Sequence, residues 1–306
     1  MRFFRRTAQI IVAMLALLSL VACALHFTNS TAEPLPPKDA GTHRVATHNV
    51  HYIWLNRATG AWSVGDWQAR APAMDAAFKV IDADIVAFQE MESFAGGNSD
   101  RVNLARSYLL ENNPDYAAAA VGDWRDFPST QPIFYRTDRY RLVDQGWFFF
   151  SDTPDVIYSR TFDGSFPAFA SWARFATRAD GTEFVVMNVH YEYKSASNRL
   201  QSAALTAERI APFRAAGLPV LLLGDLNART GSETMGVLEG AGLAFLDVDG
   251  ATYHFDRGIN LFGAIDHIGL SGGAAARAGP FTLQRKFAGD WPSDHYPVVA
   301  DIALPE

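Results

Sequence analysis

The stretch Leu221-Leu222-Leu223-Gly224-Asp225-Leu226-Asn227 constrains the fold more than any other part of the chain. A run of aliphatic residues without polar alternation reads as a strand buried on both faces, as in a sheet covered by other layers. It stops at two polar side chains. In open α/β sheets, reacting groups collect outside the carboxyl ends of strands. Residues i and i+2 of an extended segment also point the same way, so Asp225 and Asn227 are expected to face one ligand. Asp and Asn after a strand are equally ordinary turn formers, and the pair needs support from elsewhere in the chain.

Residues 2–22 stand apart from any fold. Arg2, Arg5 and Arg6 precede an uncharged apolar run from Ile10 to Ala22, a positive leader followed by a core too short for a comfortable membrane span. Residues 1–22 are therefore expected to be a signal peptide and the protein to be exported. The run ends Leu20-Val21-Ala22-Cys23, which resembles the lipobox of bacterial lipoproteins, where the cysteine becomes the lipidated first residue. Cys23 is the only cysteine, so it has no internal disulfide partner. That resemblance implies a membrane-anchored lipoprotein facing the periplasm or the cell exterior, the alternative being a soluble secreted protein cut nearby. Residues 23–41 are polar and carry Pro34, Pro36 and Pro37, as a flexible tether would. Residues 42–305 then form one large domain.

Discounting the three leader arginines, the 26 Lys and Arg fall to 23 against 33 Asp and Glu, a formal charge of −10. Such a surface repels polyanions on average, which argues against DNA as the favoured substrate unless a local basic cleft overrides it.

Along the domain, one apolar run after another ends in polar side chains. Arg44 to Val50 alternates as a first strand with Asn49 near its end. A helix follows from Asp66 to about Ile81, and Asp84 to Glu90 reads as a buried strand that delivers a carboxylate at its exit. Residues 101–112 read as a helix, and 132–136 and 141–150 as strands. The block Trp147-Phe148-Phe149-Phe150 reads as core rather than a membrane patch. A hairpin turns at Asp180-Gly181, and its second strand ends Asn188-Val189-His190. A helix over 195–216 leads into the Leu221 strand, and a shorter helix lies near 233–238. In the strand Ala264 to Leu270, Asp266 interrupts apolar residues and calls for a partner. The last strand, 297–303, is entered through Ser293-Asp294-His295.

Taken in order, Thr47-His48-Asn49-Val50, Gln89-Glu90, Ile133-Phe134-Tyr135-Arg136, Asn188-Val189-His190, Gly224-Asp225-Leu226-Asn227, Ile265-Asp266-His267 and Ser293-Asp294-His295 resemble the endonuclease/exonuclease/phosphatase superfamily of DNase I-like proteins. The resemblance spans about His43 to Asp301. It implies a four-layer α/β sandwich, two central mixed β-sheets flanked by helices. It also implies roles. Glu90, with Asn49 and Asp294, would hold Mg²⁺ or Mn²⁺, hard ions that prefer oxygen donors. His295, with an ordinary imidazole pKa of about 6.5, would take a proton from water, steadied by Asp266. Asp225 and Asn227 would position the water and the phosphoryl oxygens, and His190 would donate to an oxygen gaining charge.

The expected activity is metal-dependent hydrolysis of a phosphate ester, a phosphodiester first. A DNA or RNA nuclease outside the cytoplasm and an inactive binding protein on the same fold are the alternatives. His254, Arg174 and Arg136 are candidate substrate contacts, with Lys194, Arg199 and Arg257 near the same loops. The partner is a phosphate ester: nucleic acid, phospholipid or a small phosphodiester. A phospholipid substrate calls for an exposed apolar insertion loop, which the sequence does not display. No protein partner is implied.

Overall fold

A computed structural model describes residues 2–31, 34–97, 99–164 and 166–305. In chain order the elements are α1 (Arg2–Thr28), β1 (His43–Asn49), β2 (Ile53–Trp54), α2 (Val64–Ile81), β3 (Ile85–Gln89), β4 (Ser93–Phe94), α3 (Leu104–Asn112), β5 (Tyr116–Ala119), β6 (Ile133–Arg136), β7 (Tyr140–Phe149), β8 (Phe169–Thr177), β9 (Glu183–His190), α4 (Ala196–Ala215), β10 (Val220–Asp225), α5 (Glu233–Gly240), β11 (Ala244–Phe245), β12 (Asp266–Leu270), β13 (Ala275–Thr282) and β14 (Val298–Ala303).

Two six-stranded mixed sheets form the centre, in the orders β13-β14-β1-β3-β6-β5 and β11-β12-β10-β9-β8-β7. The strand pattern shows why they stack. Leu221 and Leu223 point into the core between the sheets, where they meet Val45, Ile85, Val298 and Ala300. Their alternates Val220 and Leu222 face Ala203 and Ile210 of α4 and Leu238 of α5. On the far side, Val86, Phe88 and Phe134 pack under Met74 and Phe78 of α2 and Leu109 of α3. A strand covered on both faces is selected to be apolar throughout, as the Leu221 run is. Phe148, Phe149 and Phe150 are buried, as expected of core.

The helices start where side chains satisfy free backbone N–H groups. Ser63 Oγ accepts from Asp66 N at 3.0 Å to begin α2, three residues before the apolar period becomes visible, and Ser195 Oγ accepts from Asn198 N at 3.1 Å to begin α4. The edge strands β5 and β13, and the short pair β2 and β4, are not expected from the pattern. Residues Ala117 to Ala119 and Ala274 to Ala276 are small and carry little β preference, and both longer strands pair on one side only.

Two features of the N-terminal segment add to the expectations for it. The segment after residue 28 does not stand off as a free tether. Asn29 O accepts from Ala251 N and from Gln284 Nε2, both at 2.9 Å, and Thr31 N donates to Gln284 Oε1 at 2.7 Å. Farther on, Arg44 Nη2 donates to Pro36 O at 2.8 Å, and Lys38 pairs with Asp84 at 2.8 Å. Ala32 and Glu33, part of that tether, lie outside the described residues. The apolar N-terminal helix is also longer than the sequence run suggests. Gln9–Thr28 covers 20 residues at a mean hydropathy of 2.6, enough in length and composition to cross a membrane.

Candidate active site

Parallel pairing aligns the site. β1 runs parallel to β3 with Asn49 opposite Gln89, and β9 runs parallel to β10 with His190 opposite Asp225. β12 is antiparallel to β10, and its first residue, Asp266, lies opposite Asp225. Asp266 thus opens its strand instead of interrupting it. β9 and β10 approach so closely that a Cβ on Gly224 would lie 2.0 Å from Val189 O. Just below this end, a buried amide cluster ties the two sheets together. Gln89 Nε2 donates to Asn188 Oδ1 at 2.7 Å, and Asn188 Nδ2 donates to Phe88 O at 2.8 Å and Gln131 O at 3.1 Å.

The strand-end groups converge. Asn49 Nδ2 donates to Glu90 Oε1 at 3.1 Å and to Asp225 Oδ2 at 3.2 Å, so one amide bridges two carboxylates from opposite sheets. His190 Nε2 lies 3.8 Å from Glu90 Oε1 and 3.6 Å from Asp225 Oδ2. His295 Nδ1 donates to Asp266 Oδ2 at 2.9 Å, and its Nε2 lies 3.8 Å from Asp225 Oδ2. The imidazole is therefore oriented by one carboxylate and aimed at the space beside another. Its backbone is fixed as well, since His48 Nε2 donates to His295 O at 3.2 Å. Asp294 sits at the edge, its carboxylate 3.5 Å from His51 Nδ1 and accepting from Ser293 Oγ at 3.2 Å.

The electrostatics follow from crowding acids away from water. Burial, then the neighbouring charge of Asp266, pushes Asp225 up to about 6. Burial opposes ionisation of Asp266 too, yet the His295 charge and hydrogen bond hold it below its ordinary value. Burial by itself would depress His295, but Asp266, Asp225 and Asp294 together push it up to about 10. The ring is then an imidazolium at neutral pH, in contrast to the free imidazole expected near 6.5. A cation set against these carboxylates offsets their field and favours the neutral ring.

The donor chemistry suits a hard divalent ion. Glu90 and Asp225 present carboxylate oxygens to a single shared amide, with Asp294 nearby, an oxygen-rich surrounding deficient in positive charge. Ligand atoms of Asp225, Asp266 and His295 also lie within 4.8 Å of one another. His295 Nδ1 is already committed to Asp266 within that group, while Glu90 keeps its carboxylate at the open edge beside Asn49 and His190.

Several residues fall outside the site. Asn227 turns away from extended geometry at φ 46°, its backbone N donating to Asp225 Oδ1 at 2.8 Å and its Nδ2 to Tyr191 O at 2.9 Å. It borders the site and does not continue the strand with Asp225. His254 is buried between Tyr296 and Trp291, with ring centroids at 4.0 and 4.6 Å, and burial brings its pKa down to about 4. Its Nδ1 accepts from Gly258 N at 3.2 Å, so the ring is a packed part of this loop. Arg136 pairs with Asp82, at the opposite end of the sheet, because β6 runs antiparallel to β3. Arg174 lies opposite Val185, well before His190, and its Nε is 3.8 Å from Glu183. Arg199 donates to Glu192 O and Tyr193 O, holding the loop after β9.

Sequence reasoning missed Arg70 and His51. Arg70 is buried and donates to Val50 O, His51 O and Pro292 O at 2.8, 2.7 and 2.8 Å, joining the exit of β1 to the loop that carries His295. On a helix, an arginine four residues after Asp66 reads as a solvated pair, which hides this role. His51 stands two residues after Asn49, a signal that was available.

Glu92 gives a test of the local field. Burial, then Asp100 and Glu90, pushes its carboxyl up to about 7. The folded value lies above the unfolded one of about 4.5, so stability from this group is intact below about 4.5 and falls as pH rises to about 7. Glu92→Gln is expected to stabilise the protein by about 1–2 kcal/mol at pH 8 and to change little at pH 4, by urea unfolding. An equal gain at both values would contradict this.

The comparisons with known proteins agree with this fold. A mannosyl-6-phosphatase from Bacteroides thetaiotaomicron is similar in structure at a TM-score of 0.68 and 26% identity, covering 86% of this chain and 100% of that one. An endonuclease/exonuclease/phosphatase from Bacteroides vulgatus gives a TM-score of 0.71 at 24% identity, covering 86% and 99%. TDP2 from D. rerio, complexed with a single-strand DNA product, shares the fold at a TM-score of 0.59 and 14% identity, covering 87% and 100%. No curated protein matches the sequence. The model of the Endonuclease/Exonuclease/phosphatase family matches residues 46–295, from β1 to His295, and the chain belongs to that family.

Proposed function

We propose that the protein hydrolyses a phosphate ester with the help of a divalent cation, using a water deprotonated by His295. The observation that carries this reading is the convergence of Asn49, Glu90, His190, Asp225, Asp266 and His295 from both sheets on one small volume. In the step proposed, a water oxygen attacks phosphorus, its proton passes to His295 Nε2, and the P–O bond to the ester's leaving oxygen breaks. Asp266 stabilises the resulting imidazolium through Nδ1. His190 Nε2 faces the same space and donates to the phosphoryl or leaving oxygen as charge builds. Glu90, Asn49 and Asp294 would hold Mg²⁺ or Mn²⁺, which when bound supplies Lewis-acid stabilisation of the phosphoryl charge.

A phosphodiester is the first reading of the substrate. A phosphomonoester of a sugar is the second, favoured by the similarity to the mannosyl-6-phosphatase. The acidic surface and the absence of Arg136 and Arg174 from the site argue against a long nucleic-acid track. The leader arginines, the apolar α1 and Cys23 support export with a membrane anchor.

The test is hydrolysis of bis-p-nitrophenyl phosphate, p-nitrophenyl phosphate, mannose 6-phosphate, plasmid DNA and phospholipid, each with Mn²⁺ and with EDTA. At least one small ester is expected to be cleaved, with EDTA lowering the rate by about 100-fold or more and Mn²⁺ restoring it. A rate indifferent to EDTA would contradict the metal reading.

A further inference from the structure

We propose that the membrane anchor fixes the orientation of the domain, with the mouth of the active site held against the lipid surface by the loop 255–263. This rests on the export and anchoring reading above, and not on the choice of substrate.

The first observation is the reach of the anchor. A free chain over residues 23–41 would let the domain drift up to about 60 Å from the bilayer. Instead, the helix runs without a break through Cys23 to Thr28, and the residues that follow are fastened. Asn260 N donates to His26 Nδ1 at 3.1 Å, and Asn260 Nδ2 donates to Ser30 Oγ at 2.9 Å. Asn29 O takes the two hydrogen bonds from Ala251 and Gln284. From Cys23 to Asn29 the helical rise is only about 9 Å. That short rise holds the domain close to the bilayer whether α1 stays in the membrane or a lipid sits on Cys23.

The second observation is what lies beside that fastening. The loop that carries Asn260 exposes Ile259 and Phe262, each 40% accessible, with Arg257 exposed on the same loop and Arg229 lying 5.4 Å from the Phe262 ring. Asp256 is exposed there too, so the loop is not uniformly basic. Apolar tips rimmed by arginines suit the headgroup boundary, where rings enter the acyl region and guanidinium groups stay at the phosphates. This is the apolar insertion loop that the sequence pattern conceals.

The third observation connects the loop to the chemistry. Phe262 packs on Phe255 at 5.8 Å, Phe255 on Tyr253 at 4.6 Å, and Tyr253 on His295 at 5.0 Å between ring centroids. Tyr253 and His295 are also paired through a backbone bridge. Contact at Phe262 therefore presents the His295 side of the site to the bilayer surface.

The experiment uses the full chain in phosphatidylethanolamine–phosphatidylglycerol vesicles. An environment-sensitive fluorophore is placed at Phe262→Cys or at Ala179→Cys, which lies in the exposed turn at the far end of the sheets. Signal from the otherwise unchanged chain, which keeps Cys23, is subtracted. Lipid-borne quenchers are expected to reduce emission at position 262 by roughly twofold or more relative to position 179. Gln284→Ala should shrink that contrast without altering hydrolysis of a soluble ester. Equal quenching at both positions in a chain that floats with the vesicles would refute the orientation and leave the anchor standing. A chain that does not float would refute the anchor and this proposal with it. In either case the EDTA-sensitive hydrolysis stands or falls separately.

Discussion

Replacing His295 with alanine is expected to lower turnover by about three orders of magnitude at saturating Mn²⁺, since a positioned base contributes roughly 10²- to 10⁴-fold. In the proposed step the ring held by Asp266 takes the water proton, so the loss should fall on kcat. The substitution also has a structural cost. Asp266 is completely buried and loses the charge that keeps it ionised, and an unpaired buried carboxylate costs about 3–5 kcal/mol. His295→Ala should therefore unfold at lower urea than the parent, and adding Asp266→Asn should recover much of the stability but none of the activity. A single variant that keeps more than about a tenth of the parent rate would remove His295 from its role.

The second large effect is expected at a residue remote from phosphorus. Arg70→Ala leaves the carbonyls of Val50, His51 and Pro292 without their donors and frees the His295 loop from the end of β1. Each abandoned buried acceptor costs about 1–3 kcal/mol before relaxation and water entry, so a net loss of about 3–5 kcal/mol in urea unfolding is expected. Activity should fall with it, since a misplacement of about 1 Å at a catalytic group can cost roughly 100-fold. Arg70→Lys should rescue only in part. A single ammonium cannot reproduce the guanidinium fork that reaches three carbonyls at once. Parent-like stability and rate in Arg70→Lys would show that charge alone is enough.

The sequence was most legible where burial leaves few choices. Strands covered on both faces, such as Leu221 to Leu223 and Ile85 to Phe88, must be continuously apolar, so they announce both themselves and the polar residues at which they stop. This is why Asn49, Glu90, His190, Asp225 and Asp266 could be gathered before any coordinates. Edge strands carry a weaker constraint, and the alanine-rich β13 gives no period to read. Errors arose where direction matters. Arg136 follows an apolar strand just as Glu90 does, but β6 runs against β3, so the same kind of strand end falls on the opposite side of the molecule. His254 stands within a loop that does reach the site, yet its own ring turns into the aromatic packing of Tyr296 and Trp291. The fastening of residues 26–31 to Asn260 and Gln284 joins positions more than 200 apart in sequence, beyond any local pattern.

The field around His295 connects these points. Asp266, Asp225 and Asp294 surround an imidazole that must be neutral to act in the proposed step, and a divalent cation on the Glu90 side would relieve their combined charge. The most direct measurement is anomalous diffraction from crystals equilibrated with Mn²⁺. The account predicts a manganese peak at direct-coordination distance from the Glu90 carboxylate, with His295 still hydrogen-bonded to Asp266 and its Nε2 outside the coordination shell. A peak bound by His295 Nε2 together with Asp225 or Asp266, or none at this end of the sheets, would contradict it.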